Sequence, residues 1–199
     1  MTSYAQAFID ETVEILRMIP IEEIDAVVGV IRETRDRGGR VFFCGSGGGA
    51  GHSSHAACDF RKLGRVEAYS VTDNVSELTA RINDDGWDDS YADWLKASRF
   101  GSDDCLFVFS VGGGSVARGI SINLVNAMRL ARQVGASITG IVGRDGGVTK
   151  EWAEACIHVL PLNPATVTAQ TEGLQSLFWH LIVTHPGLSP ETPKWESTV

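Results

Sequence analysis

Val41-Phe42-Phe43-Cys44-Gly45-Ser46-Gly47-Gly48-Gly49-Ala50-Gly51 is an apolar run of four residues that passes directly into a glycine-rich turn. Four bulky apolar residues bounded by glycine read as a short strand buried on both faces. A helical stretch follows over 51–63. The same sequence of events recurs at Cys105-Leu106-Phe107-Val108-Phe109, which runs into Ser110-Val111-Gly112-Gly113-Gly114-Ser115. There the pattern predicts a helix over 116–134. A buried strand, a glycine turn and a helix make half of a parallel β–α–β unit, and two of them in one chain point to a parallel sheet.

Outward from these loops the alternation continues. Val66–Tyr69, Ile138–Val142 and Ala155–Leu160 read as further strands, and 75–83, 87–98, 148–153 and 168–184 as helices. Two helices precede the first strand, over 4–17 and 21–37, separated by Pro20 and closed by Gly38-Gly39. Five strands alternating with helices predict an α/β fold: one doubly wound five-stranded parallel sheet of the flavodoxin or Rossmann kind. Ligands are then expected at the carboxyl ends of the strands. No linker divides 1–185, so one domain is expected there. Residues 186–199 carry three prolines and few apolar side chains and read as a loosely packed tail.

The 199 residues are 43% hydrophobic and 21% charged, ordinary for a globular chain, with a formal net charge of -8. That charge argues against bulk affinity for nucleic acid or an anionic membrane. No apolar run approaches the roughly 20 residues of a membrane helix, and the first residues lack a signal-peptide pattern. The four cysteines (Cys44, Cys58, Cys105, Cys156) show no CxxC spacing and read as reduced and structural, so a cytoplasmic location is expected.

Glycine admits positive φ and lets an anion approach backbone amides, and a following helix adds its N-terminal N–H groups. Two such loops on one sheet, with Ser46, Ser110 and Ser115 as hydroxyl donors, point to an anion site rather than to plain turns. A dinucleotide fits poorly: the first loop matches GxGxxG only with Ala50 in the last place, and no acidic residue ends the second strand. GK[ST] is absent, so no nucleotide cofactor is expected. His55 and Asp59, four apart on the helix after the first loop, share one face. On spacing alone they serve equally as a hydrogen-bonded helix pair or as ligands to a metal or substrate. Glu172 and His180 lie eight apart on the last helix, a rise of about 12 Å, and on spacing alone can equally be surface residues. His158 reads as a satisfied, partly buried strand residue, and His185 as exposed.

Together these segments resemble the SIS-domain phosphoheptose isomerases. The likeness rests on Cys44–Gly48 with His55 following, Asn83-Asp84-Asp85-Gly86-Trp87, Ser110–Ser115, Val142-Gly143-Arg144-Asp145-Gly146-Gly147, and the final helix with Glu172 and His180. In the family's serine-rich loop, Ser110 and Ser115 match, whereas Val111, Gly112 and Gly114 depart from it. Asp59 stands where the family has a catalytic Glu, Glu172 where it has Gln, and Ser46 where it usually has Asn. The resemblance implies an aldose–ketose isomerase, with sedoheptulose 7-phosphate as substrate and D-glycero-D-manno-heptose 7-phosphate as product. It implies Asp59 and His180 as catalytic residues, and Ser46, Gly47, Gly48, Ser110, Gly112, Ser115, Asp84 and Thr168 as substrate or phosphate contacts. Some relatives carry zinc at the positions of His55, Asp59, Glu172 and His180. Relatives are homotetramers with active sites between subunits, which would employ the helices of 1–38. Other SIS relatives sense sugar phosphates or bind a protein without catalysis, and isomerases of other sugar phosphates share the pattern.

Overall fold

A computed structural model describes residues 2–189. Its elements are α1 (Tyr4–Met18), α2 (Ile21–Asp36), β1 (Val41–Gly45), α3 (Gly48–Lys62), β2 (Ala68–Ser70), α4 (Val75–Asp85) and α5 (Ser90–Ala97). Then come β3 (Cys105–Ser110), α6 (Ile122–Val134), β4 (Ser137–Val142), α7 (Gly147–Trp152), β5 (Ala155–His158) and α8 (Val167–Thr184). The five strands form one sheet in the order β2-β1-β3-β4-β5, every pair parallel. β1 and β3 are neighbours although β2 lies between them in sequence. The chain therefore reverses its winding there, and the crevice at their carboxyl ends is where such sheets take ligands.

Side chains alternate across a strand, and the core is divided accordingly. Val41, Phe43, Cys105, Phe107, Phe109, Ile141 and Ile157 face a layer made by α1, α2, α3 and α8, with Ile15, Ile31, Phe60 and Trp179 buried against them. Phe42, Cys44, Leu106, Val108 and Ile138 face α5 and α6, with Tyr91, Leu95, Leu124 and Met128. Both faces of the central strands are dry, which is why they read as unbroken apolar runs.

Local signals set the helix ends. The Ser3 hydroxyl accepts from Gln6 N–H at 3.1 Å to start α1, and Asn74 Oδ1 accepts from Ser76 and Glu77 N–H to start α4. Gly135, with φ 78°, closes α6 in the left-handed conformation that favours glycine.

Three expectations are corrected. The helix expected from 116 begins at Ile122, because Gly119 and Ser121 both take positive φ. Residues 115–120 instead form a short antiparallel excursion, with Ser115 and Ile120 exchanging both backbone hydrogen bonds. The strands expected at 66–69 and 155–160 are Ala68–Ser70 and Ala155–His158. The start of the tail is packed rather than loose: Leu188 is buried, and its carbonyl accepts from Arg35 Nη1 at 2.9 Å. The rest of the expected tail, 190–199, lies outside the described residues.

Candidate active site

The first glycine loop is compressed against the sheet. A Cβ at Gly45 would meet Gly49 backbone atoms at 2.4 to 2.8 Å, and one at Gly49 would meet the Phe109 carbonyl oxygen at 2.6 Å. Only glycines let α3 start this close to the ends of β1 and β3. Beneath the loop, the Tyr91 hydroxyl donates to the Gly45 carbonyl at 2.8 Å, and burial pushes the Tyr91 phenol up to about 12. Asn123, fully buried at the start of α6, donates through Nδ2 to the Ser46 hydroxyl at 3.3 Å.

One turn further along α3, His55 and Asp59 meet His180 of α8. Asp59 Oδ2 lies 3.7 Å from His55 Nε2 and 3.9 Å from His180 Nε2, and one ligand atom from each residue falls within 4.8 Å of the others. α3 and α8 bring these residues together because their apolar faces share one core layer, with the His55 ring 4.7 Å from the ring of buried Trp179. His180 Nδ1 lies 2.7 Å from the Ser176 carbonyl oxygen. A carbonyl only accepts, so Nδ1 carries a hydrogen and Nε2 is the nitrogen turned toward Asp59, the ring orientation common in metal-ligating imidazoles. Asp59 is 5% exposed, and its Oδ2 has no hydrogen-bond partner. A buried carboxylate oxygen beside two imidazole nitrogens is a polar atom in need of a partner, and two nitrogens with one oxygen suit a divalent metal. The donor set therefore fits a metal.

Glu172 does not join this cluster. It sits two turns before His180, and its carboxylate lies against Gly48, where a Cβ would come within 2.5 Å of it. There it lines a cavity of about 160 Å³ together with Ser46, Ser110, Gly112 and Gln175. Gln175 Nε2 donates to the Ile141 carbonyl at 2.8 Å, while its buried Oε1 has no partner. That oxygen is an acceptor suited to a sugar hydroxyl. His52, one turn before His55, borders Glu172. Burial lowers its imidazole below the usual value, against an opposing pull from the Glu172 carboxylate.

The other expected contacts are dispersed around this centre. The Ser110 hydroxyl accepts from Gly113 N–H at 3.0 Å, bracing the second loop on itself. Ser115, Gly112 and Thr168 line a second, wider cavity. Gly47, with φ 59°, and Gly48 form the exposed turn into α3. Asp84 is exposed on α4, accepts from neighbouring Asn83 Nδ2 at 2.7 Å, and lines neither cavity. Tyr91, Asn123, Ser121 and Gln175 were missed by the sequence reading. Each sits in an otherwise apolar or helical stretch, and only the strand ends they converge on give them a role. His158 is buried and satisfied by Lys150 Nζ and the Arg144 carbonyl. His185 is partly covered, 3.7 Å from Asp25, rather than fully exposed.

No family model matches the chain. It is 33% identical to the lincomycin biosynthesis protein LmbN of Streptomyces lincolnensis over 77% of its own length, and spans 58% of that protein. It is 32% identical to the phosphoheptose isomerase of Rhodospirillum rubrum, over 80% of this chain and 81% of that one. Among solved structures, phosphoheptose isomerase GmhA from Neisseria gonorrhoeae superposes with a TM-score of 0.77 over 89% of this chain and 94% of that one. At 23% identity that superposition speaks for the fold alone. The sequence likeness is stronger evidence, because it runs along four fifths of both chains. On that ground the chain belongs to the phosphoheptose isomerase family.

Proposed function

We propose that the protein is an aldose–ketose isomerase of a sugar phosphate, converting sedoheptulose 7-phosphate to D-glycero-D-manno-heptose 7-phosphate through an enediolate. The observation that carries this reading is the convergence of His55, Asp59 and His180, on the same two helices, α3 and α8, that supply Gly49, Glu172 and Gln175 to a polar cavity at the carboxyl ends of β1 and β3. The reaction moves one proton between adjacent carbons and one between their oxygens. In the metal-free site Asp59 is assigned the carbon-bound proton and His180 Nε2 the oxygen-bound one. The hydroxyls of Ser46 and Ser110 and the Gln175 Oε1 acceptor orient the sugar. Glu172, on the cavity wall, is assigned to the sugar rather than to the metal.

His55, Asp59 and His180 would hold a zinc ion, which when bound supplies Lewis-acid stabilisation of the developing oxyanion. The protein itself contributes the burial of Asp59, while the His55 and His180 rings stay open to an incoming ligand.

Among the described residues no helix is long and apolar enough to cross a membrane, and a cytoplasmic location is part of the proposal. So is a homotetramer. α1 leaves Ile9 and Val13 exposed one turn apart, and α8 does the same with Leu177 and Leu181. Exposed apolar pairs on two helices are surfaces that association would bury.

The direct test is turnover of sedoheptulose 7-phosphate by the purified protein as isolated, after chelation, and with zinc restored. Activity lost and regained supports the metal-assisted isomerase. Activity indifferent to chelation removes the metal. Absence of turnover with metal content verified removes the heptose substrate and favours another sugar phosphate or a sensing role.

A further inference from the structure

The wider cavity, about 610 Å³, adjoins the small one across Val111, Gly112 and Ser121, which line both. Two cations stand on it, Arg118 and Arg144. In a chain of net charge -8, two arginines converging on one cavity run against the global field, and each is delivered there by a distinct piece of backbone.

Arg118 is carried by the excursion 115–120 that replaces the first turns of the expected helix. Its Nη2 lies 3.2 Å from Asp145 Oδ2, a pair in which both side chains are about two thirds exposed. Such a pair is weakly held in water and readily shared with another anion. Arg144 stands at φ 50°, a left-handed conformation that L side chains adopt only against steric resistance and that is concentrated at functional sites. It is fixed from behind by His158, which is 7% exposed. Lys150 Nζ lies 2.7 Å from His158 Nδ1. An ammonium only donates, so His158 Nε2 bears the hydrogen and donates to the Arg144 carbonyl at 2.8 Å. The strained turn aims the side chain across the second glycine loop, with Arg144 Cδ 3.7 Å from where a Cβ on Gly112 would stand. Among the described residues Arg144 has no ion-pair partner.

We infer that Arg118 and Arg144 form a cationic clamp for the phosphate of the substrate, seated over Gly112–Ser115, with the sugar chain running through the small cavity toward Asp59 and His180. The inference rests on the sugar-phosphate reading above. Guanidinium groups bind phosphate through paired, charge-assisted hydrogen bonds. The clamp supplies in charge what a loop of Val111, Gly112, Gly113 and Gly114 lacks in hydroxyls. Its partner Asp145 repels the dianion, so Arg118 must turn from Asp145 to the phosphate on binding. Arg144 is the stronger of the two contacts.

The test is calorimetric titration of the full chain with inorganic phosphate, alongside KM and kcat for the sugar phosphate, in wild type, Arg144→Gly and Arg118→Ala. Glycine accepts φ 50° without strain, so Arg144→Gly keeps the turn and removes only the guanidinium. Arg118→Ala alters an exposed position and reports independently. Arg144→Gly is expected to weaken phosphate binding and raise KM by about 10- to 100-fold with kcat within a few-fold, as loss of a charge-assisted hydrogen bond implies. Arg118→Ala is expected to do the same to a smaller degree. Unchanged phosphate affinity and KM in both variants, or no phosphate binding by wild type, would overturn the clamp. The two readings fail separately. Arginine-dependent phosphate binding without turnover upholds the clamp and sinks the heptose substrate, whereas turnover indifferent to both substitutions sinks the clamp alone.

Discussion

Asp59 is the residue on which most of the proposed chemistry depends, and its geometry makes the dependence measurable. Its Oδ2 has two imidazole nitrogens within 4 Å and no hydrogen-bond donor. Asp59→Asn replaces an anionic ligand by a neutral one. Metal analysis should show most of the zinc lost, and kcat should fall by at least about 100-fold. His52 gives a pH-dependent prediction. Its folded pKa is lowered, burial being the leading cause, so between the folded and unfolded values the unfolded chain binds more protons. Stability therefore rises with pH in that window, and is lost as pH falls below about 6.5, the unfolded value, toward the folded one. Urea unfolding between about pH 7.5 and about pH 5.5 should show this slope reduced in His52→Asn. An unchanged slope would mean that other groups dominate it. At this scale, the pairing of His55 with Asp59 was legible from their spacing of four. The position of Glu172 was not: two turns of α8 separate it from His180, and only the fold shows its carboxylate at Gly48.

The loops and helices obey close-approach limits that the sequence announces only as runs of glycine. Gly49 is the tightest test in the first loop. A Cβ there would stand 2.6 Å from the Phe109 carbonyl oxygen, a backbone atom that cannot move aside. Gly49→Ala should destabilise the protein by about 1–3 kcal/mol, as overpacking does, read from the urea midpoint. A neutral effect would mean that α3 can shift away from β3. Tyr91→Phe removes the hydroxyl that holds the Gly45 carbonyl and should cost about 1 kcal/mol. The strands were legible because both faces are buried and the runs are unbroken. The start of α6 was not. Val116, Ile120 and Leu124 mimic a helical spacing, but Val116 and Ile120 are about half exposed, and Gly119 with Ser121 turns the backbone out of the helix. Periodicity cannot see φ, so the excursion that carries Arg118 emerged only in three dimensions.

On the scale of the whole molecule, the exposed apolar pairs Ile9 with Val13 on α1 and Leu177 with Leu181 on α8 bear on assembly. Sedimentation should give the mass of a tetramer, and Val13→Asp combined with Leu177→Asp should lower it, because a charge in an apolar interface is not repaid. A monomeric wild type would remove the tetramer. The sheet, its parallel sense and its two glycine loops were determined by the sequence alone. Burial on both faces and the backbone freedom of glycine are properties of consecutive residues. Which side chains meet was decided by the tertiary structure. α3 and α8 are far apart in the chain and touch because they cover the same face of the sheet, and that contact joins Asp59 to His180. The same packing carries Glu172 to the cavity wall, and the turn after β4 lays Arg144 over the second loop. Convergence of this kind depends on where separate elements land, and no local pattern of residues encodes it.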